Sequence, residues 1–103
     1  MEIKRSYYNS YVGGQMYSER YLLDGKVHRQ DGPAEIYYYN NNGKIQSEHY
    51  WINGECHREN GPARIWYYNN GKIINGEYYL NGEYITNEFK ILVMKTLEIE
   101  NTF

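Results

Sequence analysis

Aromatic and β-branched residues are interleaved with polar ones in short stretches along most of the chain, and Asn or Gly bounds each stretch. The stretches 34–39, 63–68, 44–52 and 72–80 show this composition most clearly. A period of two is typical of a β-strand, whereas a helix spaces its apolar residues three and four apart. The pattern therefore predicts a series of short strands.

The connections between these stretches carry the residues that tight hairpin turns need. Asn-rich segments that end at Gly43 and Gly71 close two hairpins, and Pro33 and Pro62 lie just before strands, where a missing N–H costs least. Three dipeptides accept positive φ at both central positions of a type I′ turn: Asp24-Gly25, Asn53-Gly54 and Asn81-Gly82. The predicted fold class is all-β, an antiparallel meander that forms a single layer or a half-barrel.

The sequence repeats itself. HRQDGPA at 28–34 recurs as HRENGPA at 57–63, a shift of 29 positions, and the stretch 50–55 recurs at 78–83, a shift of 28. Self-similarity at such a period is typical of repeat architectures. We therefore predict one repeat domain over 1–103, with a degenerate repeat at about 5–33, repeats at about 34–62 and 63–85, and a C-terminal helix at about 87–100.

The period changes from Glu88 onward. Apolar residues now recur at helical spacing and fall on one face of a helix, with Thr86 or Asn87 as its N-cap: Phe89, Leu92, Val93 and Leu97. Repeat arrays need a terminal element that seals the last repeat. We expect this face to pack against the sheet, and the alternative is a helix that docks into a partner's groove.

Composition narrows the classes of partner. The chain has 103 residues, 14 of them Tyr, and a formal net charge of −2. Such a chain offers one thin, amphipathic core, and its charge makes nucleic acid a less favoured partner. No apolar run approaches the roughly 20 residues that cross a bilayer, residues 1–8 lack the apolar region of a signal peptide, and Cys56 has no second cysteine. We predict a cytoplasmic protein with no membrane partner and no cofactor.

The repeated His-Arg pair is the first candidate for chemistry, because His titrates near neutral pH and Arg stabilises anions. A catalytic group is needed once, however, whereas a turn is rebuilt in every repeat. Asp31 in one copy is Asn60 in the next, and both side chains brace turns although only one is a carboxylate. We therefore predict a structural turn motif in each copy: His28, Arg29, Asp31, Gly32 and Pro33, and His57, Arg58, Asn60, Gly61 and Pro62.

Metal and phosphate sites have weaker support. Adjacent residues of a strand point to opposite faces, so Cys56 and His57 do not suit one metal ion, and a site assembled across repeats with His28 and His49 is the alternative. Gly13-Gly14 is expected in a hairpin turn rather than in a phosphate-binding loop. Gly76 is expected to mark a bulge or a close approach of another backbone.

The aromatic strands provide the candidate binding surface. Alternation puts Ala34, Ile36 and Tyr38 on one face of a strand and Glu35, Tyr37 and Tyr39 on the other. Exposed Tyr and Trp side chains are efficient contact residues. The predicted surface comprises Tyr37, Tyr39, Trp66, Tyr68, Arg64 and Trp51. In the alternative, these rings only cover a single-layer sheet.

The His-Arg-x-Asp/Asn-Gly-Pro-Ala run follows an aliphatic residue and Asn-Gly, and it precedes an aromatic strand. In this arrangement the run resembles the MORN-repeat-variant proteins. It is also similar to small repeat proteins of bacteriophages, giant viruses and some bacteria. The resemblance covers about residues 15–90. It implies an interaction surface without enzymatic activity, in a phage or mobile-element accessory protein that binds and inhibits a host protein, including CRISPR or other defence components.

Two other functions stay open. One is a small-ligand binder in which Arg29, Arg58 or Arg64 contacts the phosphate of a sequestered nucleotide signal. The other is a structural protein that forms homo-oligomers through exposed strand edges. An enzyme is the least favoured class, because the polar clusters of the repeats are not unique.

Overall fold

A computed structural model describes residues 1–8 and 15–100, with side chains through Leu97. The predicted Gly13-Gly14 turn lies outside the described residues. Within them are the strands β1 (Glu2–Tyr7), β2 (Met16–Leu23), β3 (Lys26–Val27), β4 (Glu35–Tyr38), β5 (Ile45–His49), β6 (Trp51–Ile52), β7 (Glu55–Cys56), β8 (Arg64–Tyr67), β9 (Ile73–Glu77), β10 (Tyr79–Leu80) and β11 (Glu83–Tyr84), followed by the helix α1 (Glu88–Glu100).

The strands form one main sheet and two small ribbons. The main sheet has the order β1-β2-β4-β5-β8-β9, with every neighbouring pair antiparallel and β3 paired to the end of β2. The pairs β6-β7 and β10-β11 are separate two-stranded ribbons. The predicted all-β antiparallel meander with one C-terminal helix is confirmed, and β1 and β9 are its opposite edges.

The hairpin turns have the predicted geometry. Both central residues have positive φ in all three Asp-Gly or Asn-Gly turns, as in the second turn, where Asn53 has φ 49° and Gly54 has φ 79°. Asp and Asn tolerate this left-handed conformation and Gly adopts it without a steric penalty. The two-residue type I′ turns are therefore confirmed.

The strands predicted at 44–52 and 72–80 are each interrupted, at Tyr50 and at Tyr78. At the first break, backbone N–H groups of loop residues form hydrogen bonds to the carbonyls of the strand. The Arg29 N–H donates to the Trp51 carbonyl at 3.1 Å, and the His57 N–H donates to the Tyr50 carbonyl at 3.0 Å. Since these carbonyls bond to loops, the chain leaves the main sheet and pairs as a ribbon. The prediction of continuous strands was wrong for this reason.

Each hairpin of the main sheet contains a bulge at the same place in the repeat. The register shifts between Ser6 and Tyr7, and likewise at 37/38 and at 66/67. The bulge of β9 thus lies opposite Trp66 and Tyr67, so Gly76 is not the bulge residue. A Cβ at Gly76 would lie 3.1 Å from the Pro62 Cβ, which makes this glycine a close approach.

The core is thin and lies mainly on one face of the sheet. Ala34 and Ala63 are fully buried, and Ile36 and Ile65 are 7% and 6% exposed. Ile36 and Ile65 share a face with Glu48, which is paired between them. We call this side of the sheet the core face.

Helix α1 begins at its predicted cap but buries a different side chain. The Asn87 Oδ1 accepts a hydrogen bond from the Lys90 N–H at 3.0 Å. Met94 is 4% exposed, whereas the residues predicted to seal the sheet are exposed by 39% or more: Phe89, Leu92, Val93 and Leu97. This prediction was wrong because apolar residues fill most positions of the helix, so spacing does not single out one face.

The helix lies over the core face. Lys95 lines a groove together with Glu48, Ile65 and Tyr67 of that face. The opposite side carries Tyr37 and Trp66, and we call it the aromatic face. Within the described residues, no helix has the length and apolar character that crossing a bilayer requires.

Candidate functional site

A row of rings crosses the aromatic face in edge-to-face contact. The ring centroids of Tyr8 and Tyr17 lie 4.8 Å apart, and those of Tyr17 and Tyr37 lie 5.7 Å apart. His49 continues the row, at 5.7 Å from both Tyr37 and Trp66. Edge-to-face pairs at such distances are favourable. Most of these rings come from β2, β4, β5 and β8, so the row connects strands of successive repeats.

The imidazole in this row is neutral and fixed in orientation. His49 is 4% exposed, and its burial, followed by the charge of Arg64, lowers its pKa. The Arg64 Nε–H donates to His49 Nδ1 at 3.1 Å, so Nδ1 carries no proton. His49 Nε2 therefore holds the proton and donates it to Ser47 Oγ at 3.0 Å. A histidine held in this way orders the face rather than exchanging protons with a substrate.

Paired charges surround the rings. Arg20 and Glu35 form a salt bridge of 2.7 Å, and the Glu35 carboxylate also accepts a hydrogen bond from the Tyr37 hydroxyl at 3.2 Å. The hydrogen bond to Glu35 raises the pKa of Arg20, and burial raises the pKa of Tyr37. Arg64 lies 5.5 Å from the centre of the Trp66 ring. The face therefore combines half-buried rings with a charged surround.

The structure divides the surface that the sequence predicted. Tyr37, Trp66 and Arg64 lie together on the aromatic face, but Trp51 lies in the β6-β7 ribbon. The Tyr39 hydroxyl donates to the Tyr67 carbonyl at 2.6 Å, so this side chain bridges neighbouring repeats. Tyr68 holds the same place in the next repeat and is 53% exposed. Tyr68 thus lies exposed beside β9, apart from the row of rings.

The histidines of the His-Arg motif hold the hairpin turn of the following repeat. His28 Nδ1 accepts the Asn53 N–H and His57 Nδ1 accepts the Asn81 N–H, both at 2.9 Å. In each turn the next N–H, that of the glycine, donates to the backbone of the preceding repeat, as Gly54 does to Val27 at 2.9 Å. We call this pair of hydrogen bonds the inter-repeat clamp.

The arginines of the motif are engaged inside their own repeats. The Arg58 guanidinium lies 4.1 Å from the centre of the Tyr50 ring and donates to the Pro62 carbonyl at 3.2 Å. Arg29 repeats both contacts one repeat earlier, at the same distances. A Cβ at Gly32 would lie 3.2 Å from the Arg29 guanidinium carbon, so a glycine here leaves room for the folded-back side chain.

The remaining members of the two motif copies differ at the charged position. Asp31 forms a salt bridge of 3.2 Å with Arg29, whereas Asn60 stands at the equivalent position in the second copy. His57 lies 3.6 Å from the Glu59 carboxylate. Gly61 is buried, and the Pro62 side chain lies against Gly76 of the neighbouring strand. Most members of both copies thus contact other parts of the repeat array.

A groove of about 610 Å³ lies between the two motif loops, lined by residues that include Arg29, Arg58, Leu97, Asp31 and Glu59. It corresponds to the small-ligand alternative. Both arginines already contact a ring and a carbonyl, and the two carboxylates disfavour a phosphate group at the same place. The groove therefore gives little support to nucleotide binding.

The described part of the chain also offers little support for a metal site or for a reactive thiol. No three His, Cys, Asp or Glu side chains of the residues described come together in a way that would hold a metal ion. Cys56 is buried, and burial raises the pKa of its thiol to about 11. The reactive form of cysteine is the thiolate, so this thiol is a poor nucleophile at neutral pH.

Comparisons with protein-family models, with curated proteins and with solved structures found no match to this chain. The resemblance to MORN-repeat-variant proteins therefore stays a prediction. The sequence analysis did not identify Tyr8 as a member of the row of rings, nor did it identify Tyr17 and His49. Tyr17 and His49 could be recognised only from their positions in the strands. Tyr17 is the bulge residue of β2 and contacts Tyr37, and His49 lies two residues after Ser47 on the same face of the sheet.

Proposed function

We propose that the protein is a non-enzymatic interaction module that binds a partner protein through its aromatic face. The observation that carries this proposal is the row of edge-on rings from Tyr17 to Trp66, which lies on the side of the sheet opposite the helix. Tyr and Trp provide large contact areas and lose little conformational entropy on binding. A row held in place by its own neighbours is preorganised, which lowers the entropic cost of association.

The charges of this face favour a protein over a nucleic acid. Arg20 is paired with Glu35 and Arg64 is bonded to His49, so these two cations are already engaged and do not form a free basic track for a phosphate backbone. A surround of mixed charges about aromatic residues is typical of protein interfaces. The resemblance described above extends this proposal to a host protein as the partner and to its inhibition, in the host cytoplasm, as the effect.

The roles of the repeated polar residues support an absence of catalysis. The two histidines of the inter-repeat clamp accept backbone N–H groups, and the two motif arginines lie on tyrosine rings. A group committed to the backbone in each repeat is poorly placed to act on a substrate. These contacts therefore support a binding role over a catalytic one.

A pull-down from lysate of a bacterial host, treated with nuclease and analysed by mass spectrometry, tests the proposal. We expect Tyr17→Ala and Trp66→Ala to reduce the yield of a stoichiometric protein partner at least tenfold, because central aromatic residues dominate binding energy. The matched control is Phe89→Ala, which removes an aromatic ring that is 74% exposed on the helix. We expect this control to leave binding unchanged.

The same experiment separates the alternatives. Circular dichroism melts of each variant establish that it is folded, and Tyr17, at 39% exposed, is the less disruptive of the two substitutions. If Phe89→Ala abolishes binding while both aromatic-face variants retain it, the helix is the docking element and the proposal is wrong. A retained nucleotide with no protein partner would instead support the small-ligand function.

A further inference from the structure

The two edges of the main sheet carry complementary halves of one repeat junction. The bulges identify the equivalent strands, because Tyr7, Tyr38 and Tyr67 each follow the register shift of their hairpin. Strand β1 therefore corresponds to β4 and β8. Each of those two strands also pairs, on its other side, with the last strand of the preceding hairpin. Among the residues that the structure describes, β1 has no partner on that other side, and all its residues are exposed.

At the opposite edge, β9 corresponds to β2 and β5, whose outer sides pair with the next repeat. We call the pairing of β2 with β4 and that of β5 with β8 the internal junctions. In them, Arg20 lies opposite Glu35 and His49 lies opposite Arg64. Within the described residues β9 pairs with β8 alone. Its Ile73 is 63% exposed. Strand edges of this kind are places where another chain can add a strand.

A tyrosine bonds across each internal junction, and its equivalent stands at the open edge. The Tyr8 hydroxyl donates to the Tyr38 carbonyl at 2.8 Å, and the Tyr39 hydroxyl donates to the Tyr67 carbonyl at 2.6 Å. Tyr68 is the next member of this series and is 53% exposed beside β9. In both of these hydrogen bonds the acceptor is the carbonyl of a residue that is equivalent to Tyr7, namely Tyr38 or Tyr67.

The charges of the aromatic face have opposite signs at the two edges. One row of paired positions runs across the sheet in the order Lys4, Arg20, Glu35, His49, Arg64 and Glu77. It begins with two cations at the β1 edge and ends with a carboxylate at the β9 edge. Opposite charges that face each other across a strand pair are stabilising, and like charges are not.

We propose that a second copy of the chain adds its β1 to β9, in the register of the internal junctions, so that the repeat array continues from one molecule to the next. This register places Glu77 opposite Lys4 of the second copy, and it brings the Tyr68 hydroxyl to the Tyr7 carbonyl of that copy. The paired positions are Asn75 with Ser6, Gly76 with Arg5, and Glu77 with Lys4.

The junction is heterologous, since the two molecules contribute different edges, and repeated contacts of this kind form either closed rings or open-ended chains of molecules. It is weaker than an internal junction because Gly76 replaces a carboxylate. In the internal junctions Glu19 and Glu48 accept the hydroxyls of Tyr38 and Tyr67. Assembly is therefore reversible and increases with protein concentration.

Sedimentation velocity of the full chain over a concentration series tests this inference. We expect wild-type protein to form larger species as its concentration rises, and Lys4→Glu or Glu77→Lys alone to weaken association at least tenfold, because each places like charges at the junction. In an equimolar mixture of the two variants, every junction between unlike molecules again pairs one carboxylate with one ammonium group. We therefore expect the mixture to regain association that neither variant has alone.

Two further variants complete the test. Glu59→Lys changes the net charge as Glu77→Lys does, but at a residue whose side chain is 80% exposed on a loop, so it should assemble like wild type. Tyr68→Phe removes only the hydroxyl and should weaken assembly. The inference is overturned if wild-type protein is monomeric at about 1 mM, or if the mixture behaves as its separate components do. Trp66→Ala should leave assembly intact, which separates this edge contact from binding at the aromatic face.

Discussion

Replacing Ile65 with Ala is expected to lower the free energy of unfolding by about 2–5 kcal/mol. Ile65 is 6% exposed at the centre of β8, between the paired residues Glu48 and Gly76. The truncation removes apolar contacts and leaves a cavity, and Gly76 has no side chain that would move into it. Since small domains have a total stability of about 5–15 kcal/mol, the variant loses a large part of it.

Urea denaturation monitored by circular dichroism measures this loss, with Ile73→Ala as the matched control. The control makes the same chemical change on the neighbouring strand, but the Ile73 side chain is 63% exposed. We expect the control to change stability by no more than about 0.5 kcal/mol. Equal losses for the two variants would show that the core face is not the core of the molecule.

Replacing Arg58 with Ala is expected to cost about 2 kcal/mol of stability, from the two contacts that its guanidinium makes. The guanidinium lies over the Tyr50 ring and donates to the Pro62 carbonyl. A cation over a ring contributes about 0.5–2 kcal/mol, and a hydrogen bond from a charged donor contributes about 1.5–3 kcal/mol. The two contributions are not additive because one side chain makes both contacts.

Arg58→Lys keeps the charge but lacks the planar group that stacks on the ring and donates in a fixed direction. Chemical denaturation should therefore show that lysine recovers less than half of the loss. Arg29→Ala should have a similar cost, because Arg29 makes the equivalent contacts. If both alanine variants were as stable as wild type, the arginines would be available to a ligand in the groove between the motif loops.

The sequence predicted those parts of the fold that depend on neighbouring residues. Asn53-Gly54 and the equivalent dipeptides determine their turns locally, because few other residues adopt positive φ. The interruptions at Tyr50 and Tyr78 were not predictable in this way. They depend on bonds from distant loops, such as that from the Arg29 N–H to the Trp51 carbonyl.

The candidate site was predictable only in part for a similar reason. Alternation correctly placed Tyr37 and Trp66 on one face, since period-two geometry holds inside a regular strand. Tyr17 would belong to the opposite face by alternation, and only the bulge in β2 brings it to Tyr37. The buried side of the helix depends on packing against the rest of the molecule, and it carries Met94 rather than Leu92.

Amide hydrogen exchange, followed residue by residue by NMR, tests most directly whether each repeat is held by the His-Arg motif of the repeat before it. The first central residue of a type I′ turn has no acceptor within its own turn, so its N–H normally exchanges fast. The inter-repeat clamp predicts that the Asn53 and Asn81 amides are protected. The Asp24 amide occupies the same position in the first turn and should exchange fast, because Nδ1 of each histidine in the sequence accepts a different group: His28 that of Asn53, His49 that of Arg64 and His57 that of Asn81.

His57→Ala should then remove the protection of Asn81 and leave that of Asn53 in place, since His28 still holds the earlier turn. This result would establish that the motif joins successive repeats one by one. If Asn53 and Asn81 exchanged as fast as Asp24 in the wild-type protein, the inter-repeat clamp would not exist in solution, and the repeat-by-repeat account of this fold would be wrong.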